Sequence, residues 1–335
     1  MDLSVGVGLT NACDLACAHC YRDTEPVDEL SLAEVTAICD SLPVRSINLG
    51  TGENGLQPDY APVVGALGAR GVKLSLTSNG YTIERSSDET LQAFREVEVS
   101  IDYPTEAEQD AFRGPGNWRR VMAGIERAHR LGVTVTVLSV MLKTNCRRLP
   151  EIARVAFAAG AHYRVNVYQP VKTDAFTLSY EEFWDGFRRL LAATRLVSTT
   201  EPILKAMLGA PFANGSGCGR QTVRVTPRGD VIPCVYWGKS ELRLSDLAER
   251  GAAGVLASPQ FERVRALPDA CRGCAFAGVC HGGCAARREL AGGVEQPDPY
   301  CPLVRGERVA LEWAPAERRE LLKTGSACTT VLAPR

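Results

Sequence analysis

Cys13-Asp14-Leu15-Ala16-Cys17-Ala18-His19-Cys20 sets three cysteines at the spacing Cys-x3-Cys-x2-Cys. The residues before it, Leu3-Ser4-Val5-Gly6-Val7-Gly8-Leu9, alternate apolar and small positions and read as a strand. The three thiols therefore occupy a loop at the end of the first strand. Three thiolates on one short loop can wrap one corner of an iron–sulfur cluster, which normally takes four ligands. The remaining iron is then open to a substrate or cofactor. Zinc is the alternative, but it usually takes its ligands as two separated pairs, which one triplet does not supply.

The 335 residues carry 38 Lys and Arg against 39 Asp and Glu, a formal net charge of −1. A balance this even gives no bulk attraction to nucleic acid or to an anionic membrane, and neither is expected as a partner. No apolar run reaches spanning length. Met1-Asp2-Leu3-Ser4 has no basic region or cleavage site, so no signal peptide is read. Thirteen cysteines in a chain of this size without a signal point to metal in a reducing compartment rather than to disulfides, which makes the cytoplasm the expected location.

Beyond the loop, strands and helices alternate. Ser31-Leu32-Ala33-Glu34 is a capping box that opens a helix to about Leu42. Strands are expected over Val44–Leu49, Val72–Thr77, Val97–Ile101, Val133–Met141 and Tyr163–Tyr168. Helices are expected over Tyr60–Arg70, Asp88–Glu96, Trp118–Leu131 and Leu149–Ala159. With the first strand this makes six βα units, which predicts a parallel sheet with right-handed crossovers, short of a closed eight-unit barrel. The expected fold is α/β: a partial (β/α)6 TIM-like barrel over 1–209, with its functional groups at the C-terminal ends of the strands. A small cysteine-rich α+β domain with a β-hairpin is expected over 210–312, and a C-terminal helix and tail over 313–335.

The second region carries Cys218, Cys234, Cys271, Cys274, Cys280, Cys284 and Cys301. Val223-Arg224-Val225 and Val231-Ile232 flank a Pro227-Arg228-Gly229 turn and read as the hairpin, across which Cys218 and Cys234 can meet. Cys271-x2-Cys274-x5-Cys280-x3-Cys284 is a compact ligand run with Gly273, Gly278, Gly282 and Gly283 between its members. Seven such ligands beside the first triplet favour iron–sulfur clusters over zinc.

The triplet, with Tyr21 directly after it, resembles the signature of the radical S-adenosylmethionine (radical SAM) enzymes. The second cysteine set resembles their SPASM extension. The resemblance implies three 4Fe–4S clusters and SAM as cofactors: Cys13, Cys17 and Cys20 hold a cluster whose open iron is chelated by the methionine part of SAM. Electron transfer through it cleaves SAM to a 5′-deoxyadenosyl radical, which abstracts hydrogen from an unactivated carbon. By position, Thr51-Gly52-Glu53 corresponds to the family's Gly-Gly-Glu that binds the methionine amino group, with threonine in place of the first glycine. Ser100 and Asp102 correspond to residues holding the ribose and carboxylate, and Arg113 to the arginine pairing with the carboxylate. Ser78, Asn79 and Tyr168 are expected to line the same pocket, and His19 to pack near adenine. Carried over from SPASM domains, Cys218, Cys234 and Cys284 hold a first auxiliary cluster, and Cys271, Cys274, Cys280 and Cys301 a second. The first has three named ligands; its fourth position is open or filled by another residue, for which Cys328 is one candidate. Cys146, after the fifth strand, is a candidate hydrogen donor on the catalytic rim.

The auxiliary clusters suggest net oxidation of the substrate radical. The first expectation is a radical SAM/SPASM oxidoreductase of secondary metabolism acting on a small natural product, an aminocyclitol or sugar, because no leader-binding segment precedes the first strand. The alternative is a maturase of a ribosomally synthesised peptide, forming a thioether or carbon–carbon crosslink or an epimer. A non-catalytic iron–sulfur electron carrier is the third reading, and it leaves Glu53, Asp102 and Arg113 without a purpose. An external donor such as a flavodoxin or ferredoxin is the expected redox partner.

Overall fold

The computed structural model describes residues 2–209, 217–317 and 328–335. Ten strands form one sheet: β1 (Leu3–Val7), β2 (Val44–Leu49), β3 (Lys73–Ser78), β4 (Phe94–Ser100), β5 (Thr134–Met141), β6 (His162–Val167), β7 (Arg195–Thr199), β8 (Thr222–Val225), β9 (Val231–Ile232) and β10 (Thr330–Ala333). Their order is β7-β10-β6-β5-β4-β3-β2-β1-β8-β9. The pairs from β1 to β6 are parallel, as the alternation of strands and helices predicted. The sheet is open, with β7 and β9 at its edges.

Local chemistry explains the regular part. Ser31 caps helix Leu32–Ser41 with both halves of the capping box in place. Val5, Val7, Ile47, Leu49, Leu74, Leu76, Val97, Val99, Val135 and Val137 point between sheet and helices and are buried. Each such side chain contributes roughly 1.5–3 kcal/mol on leaving water. Gly8 and Gly50 end the first two ladders where the loops must turn across each other: a side chain on Gly8 would press on Pro227 and Thr51.

Three features differ from the expectation. β4 begins at Phe94, inside the stretch expected to be helix, and helix Asp88–Gln92 is short. Glu96, expected at the end of that helix, lies in the strand instead, and with Glu98 it is buried against Arg164. The hairpin β8–β9 is present, yet β8 also pairs parallel with β1, so it extends the barrel sheet. The expected boundary at residue 210 lies outside the described residues. Of the expected C-terminal helix and tail, 318–327 also lie outside them; the described end is a strand, β10, inserted antiparallel between β6 and β7. Thr330-Val331-Leu332 is a β-branched apolar run suited to that slot. No helix among the described residues is long and apolar enough to cross a membrane.

Candidate active site and auxiliary metal centres

The loop after β1 is tied down by the protein's own hydrogen bonds. Buried Arg22 donates from Nη1 to Asn11 O (3.0 Å) and from Nη2 to Leu15 O (2.6 Å). Asn11 Nδ2 donates to Pro26 O (2.8 Å), and its Oδ1 accepts the Asp28 N–H (2.7 Å). The Glu53 N–H donates to Ala12 O (2.8 Å), joining the β2 turn to the loop. Cys13, Cys17 and Cys20 all face a cavity of ≈ 210 Å³ at the C-terminal ends of the strands, with no other cysteine among the described residues of its wall. Burial pushes the Cys13 thiol up to about 11 and the Cys17 thiol upward as well. Among the described residues, no group of Cys, His, Asp or Glu closes tightly enough to hold a single metal ion. Three thiols around one open space fit one face of a cubane, with one corner left to a non-protein ligand.

Eight of the expected SAM-side residues line this cavity with Tyr21: Thr51, Gly52, Glu53, Ser78, Asn79, Ser100, Arg113 and Tyr168. Glu53 is buried; its Oε1 accepts the Asn79 N–H (2.5 Å), and its Oε2 accepts Ser78 Oγ (2.9 Å), Thr82 Oγ1 (2.6 Å) and the Thr82 N–H (3.1 Å). Burial pushes this carboxyl above its ordinary range, and the donated bonds oppose that shift. Asn79 Nδ2 donates to Asp14 Oδ1 (2.8 Å) beside Cys13. Tyr168 donates from its hydroxyl to Thr173 O (2.8 Å), which turns its ring toward the cavity.

Two expected residues sit elsewhere. Asp102 does not line the cavity. It lies fully buried behind Arg113, taking Nε (2.7 Å) and Nη2 (2.6 Å) on Oδ2 and the Val140 N–H (2.9 Å) on Oδ1. Its carboxylate orients the arginine. Cys146 is not on the rim: it is buried in a short 3₁₀ turn, Cys146–Arg148, against Gly186 of helix Tyr180–Ala193, with its thiol on Lys143 O (3.6 Å). Gly186 lies against Met141 at the end of β5 and against Cys146, and Phe183, Phe187, Leu190 and Leu191 of the same helix are buried, so the thiol sits in the core. Cys146→Ala is expected to leave 5′-deoxyadenosine formation within about twofold, measured by chromatography, with only the stability loss of a small core truncation.

His19 stacks on Phe112 (4.7 Å between ring centres, 21° between planes), with Nε2 3.7 Å from Asp102 Oδ2. Burial lowers its pKa to about 4, so the ring is neutral at physiological pH.

The sequence reading missed two groups of cavity residues. The first is the polar floor. Arg164 on β6 pairs through Nη1 with Glu98 Oε1 (2.6 Å) and through Nη2 with Glu96 Oε1 (3.3 Å). Thr77 Oγ1 donates to Glu98 Oε2 (2.7 Å), and Asn48 Nδ2 donates to Thr77 Oγ1 (3.1 Å). The signal was the polar alternation in Glu96-Val97-Glu98 and Arg164-Val165-Asn166, unusual in strands covered on both faces. The second group comes from the hairpin region. Arg224 on β8 crosses β1 where Gly6 leaves room, and reaches Gly50 O and Thr51 Oγ1. Tyr236 meets Tyr21 edge-on at 5.4 Å. Thr51 adopts φ +96°, a region that disfavours a β-branched residue. Its hydroxyl is clasped there by Tyr21 (2.9 Å) and Arg224.

The remaining ligand cysteines gather in two chambers. Cys218, Cys234 and Cys284 face one small cavity, together with Cys328. Cys271, Cys274, Cys280 and Cys301 face the other. None of the thirteen cysteines is in a disulfide. Asp298 braces the run between the chambers. It accepts the Cys284 N–H (2.8 Å) and the Tyr300 N–H (3.0 Å), and binds Arg287, whose Nη2 also reaches Glu201 Oε1 (2.6 Å). Gly283 lies so close to Asp298 that a side chain there would overlap it.

A three-thiol loop open at one corner, over a polar barrel cavity and beside two four-thiol chambers, defines an iron–sulfur enzyme that reacts a bound small cofactor inside a partial barrel. The comparisons agree. The Radical SAM superfamily matches residues 7–156, and the SPASM iron–sulfur cluster-binding domain matches 217–275. The chain belongs to the radical SAM enzymes that carry a SPASM domain, with SAM and 4Fe–4S clusters as cofactors. It is 28% identical to the mycofactocin maturase MftC of Mycolicibacterium smegmatis, over 90% of this chain and 84% of that protein. It is also 28% identical to the PqqA peptide cyclase of Xanthomonas euvesicatoria, over 89% and 87%. The fold is shared with Streptococcus suis SuiB bound to its precursor peptide SuiA, at TM-score 0.67 and 15% identity, covering 89% of this chain and 75% of that one.

Proposed function

We propose that this enzyme is a maturase that oxidatively modifies a ribosomally synthesised peptide. The observation that carries this reading is that relatives matched over about nine-tenths of the chain are named a mycofactocin maturase and a PqqA peptide cyclase. They favour the peptide alternative over the small natural product that the sequence reading put first.

When bound, the first cluster and SAM supply a one-electron reduction and hydrogen-atom abstraction from an unactivated carbon. The chain's own residues prepare the cavity for this. Glu53 accepts a single hydrogen bond on Oε1, which leaves acceptor capacity for an ammonium group. Arg113, held by Asp102, offers its remaining guanidinium N–H groups to a carboxylate. Neutral His19 and Phe112 offer an apolar stack beside the thiol loop. Arg164, Glu98, Asn48 and Asn166 make a floor that suits polar groups, such as peptide amides, better than an aliphatic surface. The enzyme works in a reducing, cytoplasmic setting with a flavodoxin- or ferredoxin-type donor.

The test uses anaerobically reconstituted protein with dithionite, SAM and uniformly deuterated peptides encoded beside its gene. Deuterium appearing in 5′-deoxyadenosine, with a peptide product lighter by two hydrogens or crosslinked, is the expected result. Deuterium arriving from a labelled aminocyclitol or sugar but from no peptide sinks this reading and restores the small-molecule one.

A further inference from the structure

Cys328 stands just before β10 and far from the other ligands in sequence. In the fold it joins them. The cavity lined by Cys218, Cys234 and Cys284 is lined by Cys328 as well. The Cys328 thiol is in hydrogen-bond contact with those of both Cys218 and Cys284. All four belong to one apolar cluster with Ile232, Trp237 and Val264. This placement is built in. Thr329 is fixed by its N–H to Thr200 Oγ1 (2.9 Å), and the Thr200 N–H returns to Thr329 O (2.8 Å). Thr330 Oγ1 meets Thr199 Oγ1 at 2.9 Å, and β10 is laddered to β6 and β7 on both sides. A strand paired on both edges holds its flanking residue to within a rotamer, so the Cys328 thiol is presented to the chamber.

We propose that Cys328 is the fourth protein ligand of the first auxiliary cluster. Ligation exchanges the thiol proton for an iron–sulfur bond, with no change of oxidation state. The set Cys218, Cys234, Cys284 and Cys328 then matches the four of Cys271, Cys274, Cys280 and Cys301, and both auxiliary clusters are closed by protein. A closed coordination sphere leaves no iron for a substrate atom to bond. The cluster still lies against the reaction cavity, because Val235 and Tyr236, which follow Cys234, and Thr329, which follows Cys328, line that cavity's wall. The ligation holds whatever the substrate proves to be.

The test compares the full chain with Cys328→Ala, Cys328→Ser and, as a thiol outside every chamber, Cys39→Ala, all reconstituted anaerobically. Iron per chain is expected to fall from about twelve to about eight in Cys328→Ala and to stay near twelve in Cys39→Ala. In Cys328→Ser the iron is retained, because a serine oxygen can ligate, but the electron paramagnetic resonance signal of one dithionite-reduced auxiliary cluster shifts. A tail that only packs against the chamber would not move that signal. Iron contents and spectra of both Cys328 variants matching those of the unaltered chain overturn the assignment. So does iron loss in Cys328→Ala paired with an unshifted spectrum in Cys328→Ser, and so does loss of the first cluster's iron in either variant, because each assigns the effect to packing.

Discussion

Gly52→Ala is expected to abolish SAM cleavage while leaving the auxiliary clusters loaded. Gly52 has φ +60° and lies against the main chain of the thiol loop, where a methyl group would overlap the carbonyl oxygens of Thr10 and Ala12. Backbone atoms cannot rotate aside as a long side chain can, so either the β2 turn or the loop must move. The left-handed conformation adds about 1–2 kcal/mol for a residue with a Cβ. The Glu53 N–H bond to Ala12 O sits at the same crossing and would be lost, which frees the segment carrying Cys13. Iron per chain should drop by about four, one cubane's worth. Deoxyadenosine formation should fall at least a hundredfold. Activity within about threefold of the unaltered enzyme would show that the turn can retreat without disturbing the loop.

Arg287→Ala is expected to cost about 3–5 kcal/mol of stability, the usual result of removing one partner from a buried ion pair. Arg287 is 3% exposed and its two partners, Glu201 and Asp298, 1% and 2%. Without the guanidinium, two carboxylates are left facing each other out of water. Asp298 also receives the Cys284 N–H, so the second domain's ligand run loosens with it. Lysine should not rescue, because one ammonium cannot span both carboxylates as a planar fork does. Adding Glu201→Gln to Arg287→Ala should recover part of the loss by removing one unpaired charge. A shift in the urea midpoint equivalent to less than about 1 kcal/mol, as for an exposed pair, would contradict this.

Much of the barrel was legible because its signals are local. The capping box at Ser31, the apolar strands and the turns after them are written within a few residues each, and the three-thiol loop was readable from spacing alone. Non-local pairing left no such trace. Nothing near Thr222 states that β8 joins β1, and nothing near Thr330 states that it enters between β6 and β7. Cys146 looked exposed because it follows a strand end, where rim residues gather; helix Tyr180–Ala193, which buries it, comes later in the chain. Asp102 lies behind Arg113, an order that a motif cannot state because it assigns residues to a site without saying which stands in front. Arg224 was hidden by its apolar neighbours, and only the small residue opposite it, Gly6, marks its path across the sheet.

The pairing of β1 with β8 has a consequence for how the protein is made. Ser4 leaves the ribosome early, but its partner Thr222 is synthesised only after the whole barrel half. Until then one edge of β1 stands open, with unpaired main-chain groups beside the thiol loop. Exposed edges recruit other strands, and contacts this far apart in sequence form slowly. The nascent chain therefore passes through a long interval in which it is prone to aggregate and its cysteines are accessible to oxygen. Slower growth at lower temperature, with iron supplied throughout expression, should raise the soluble yield more than any change to the surface.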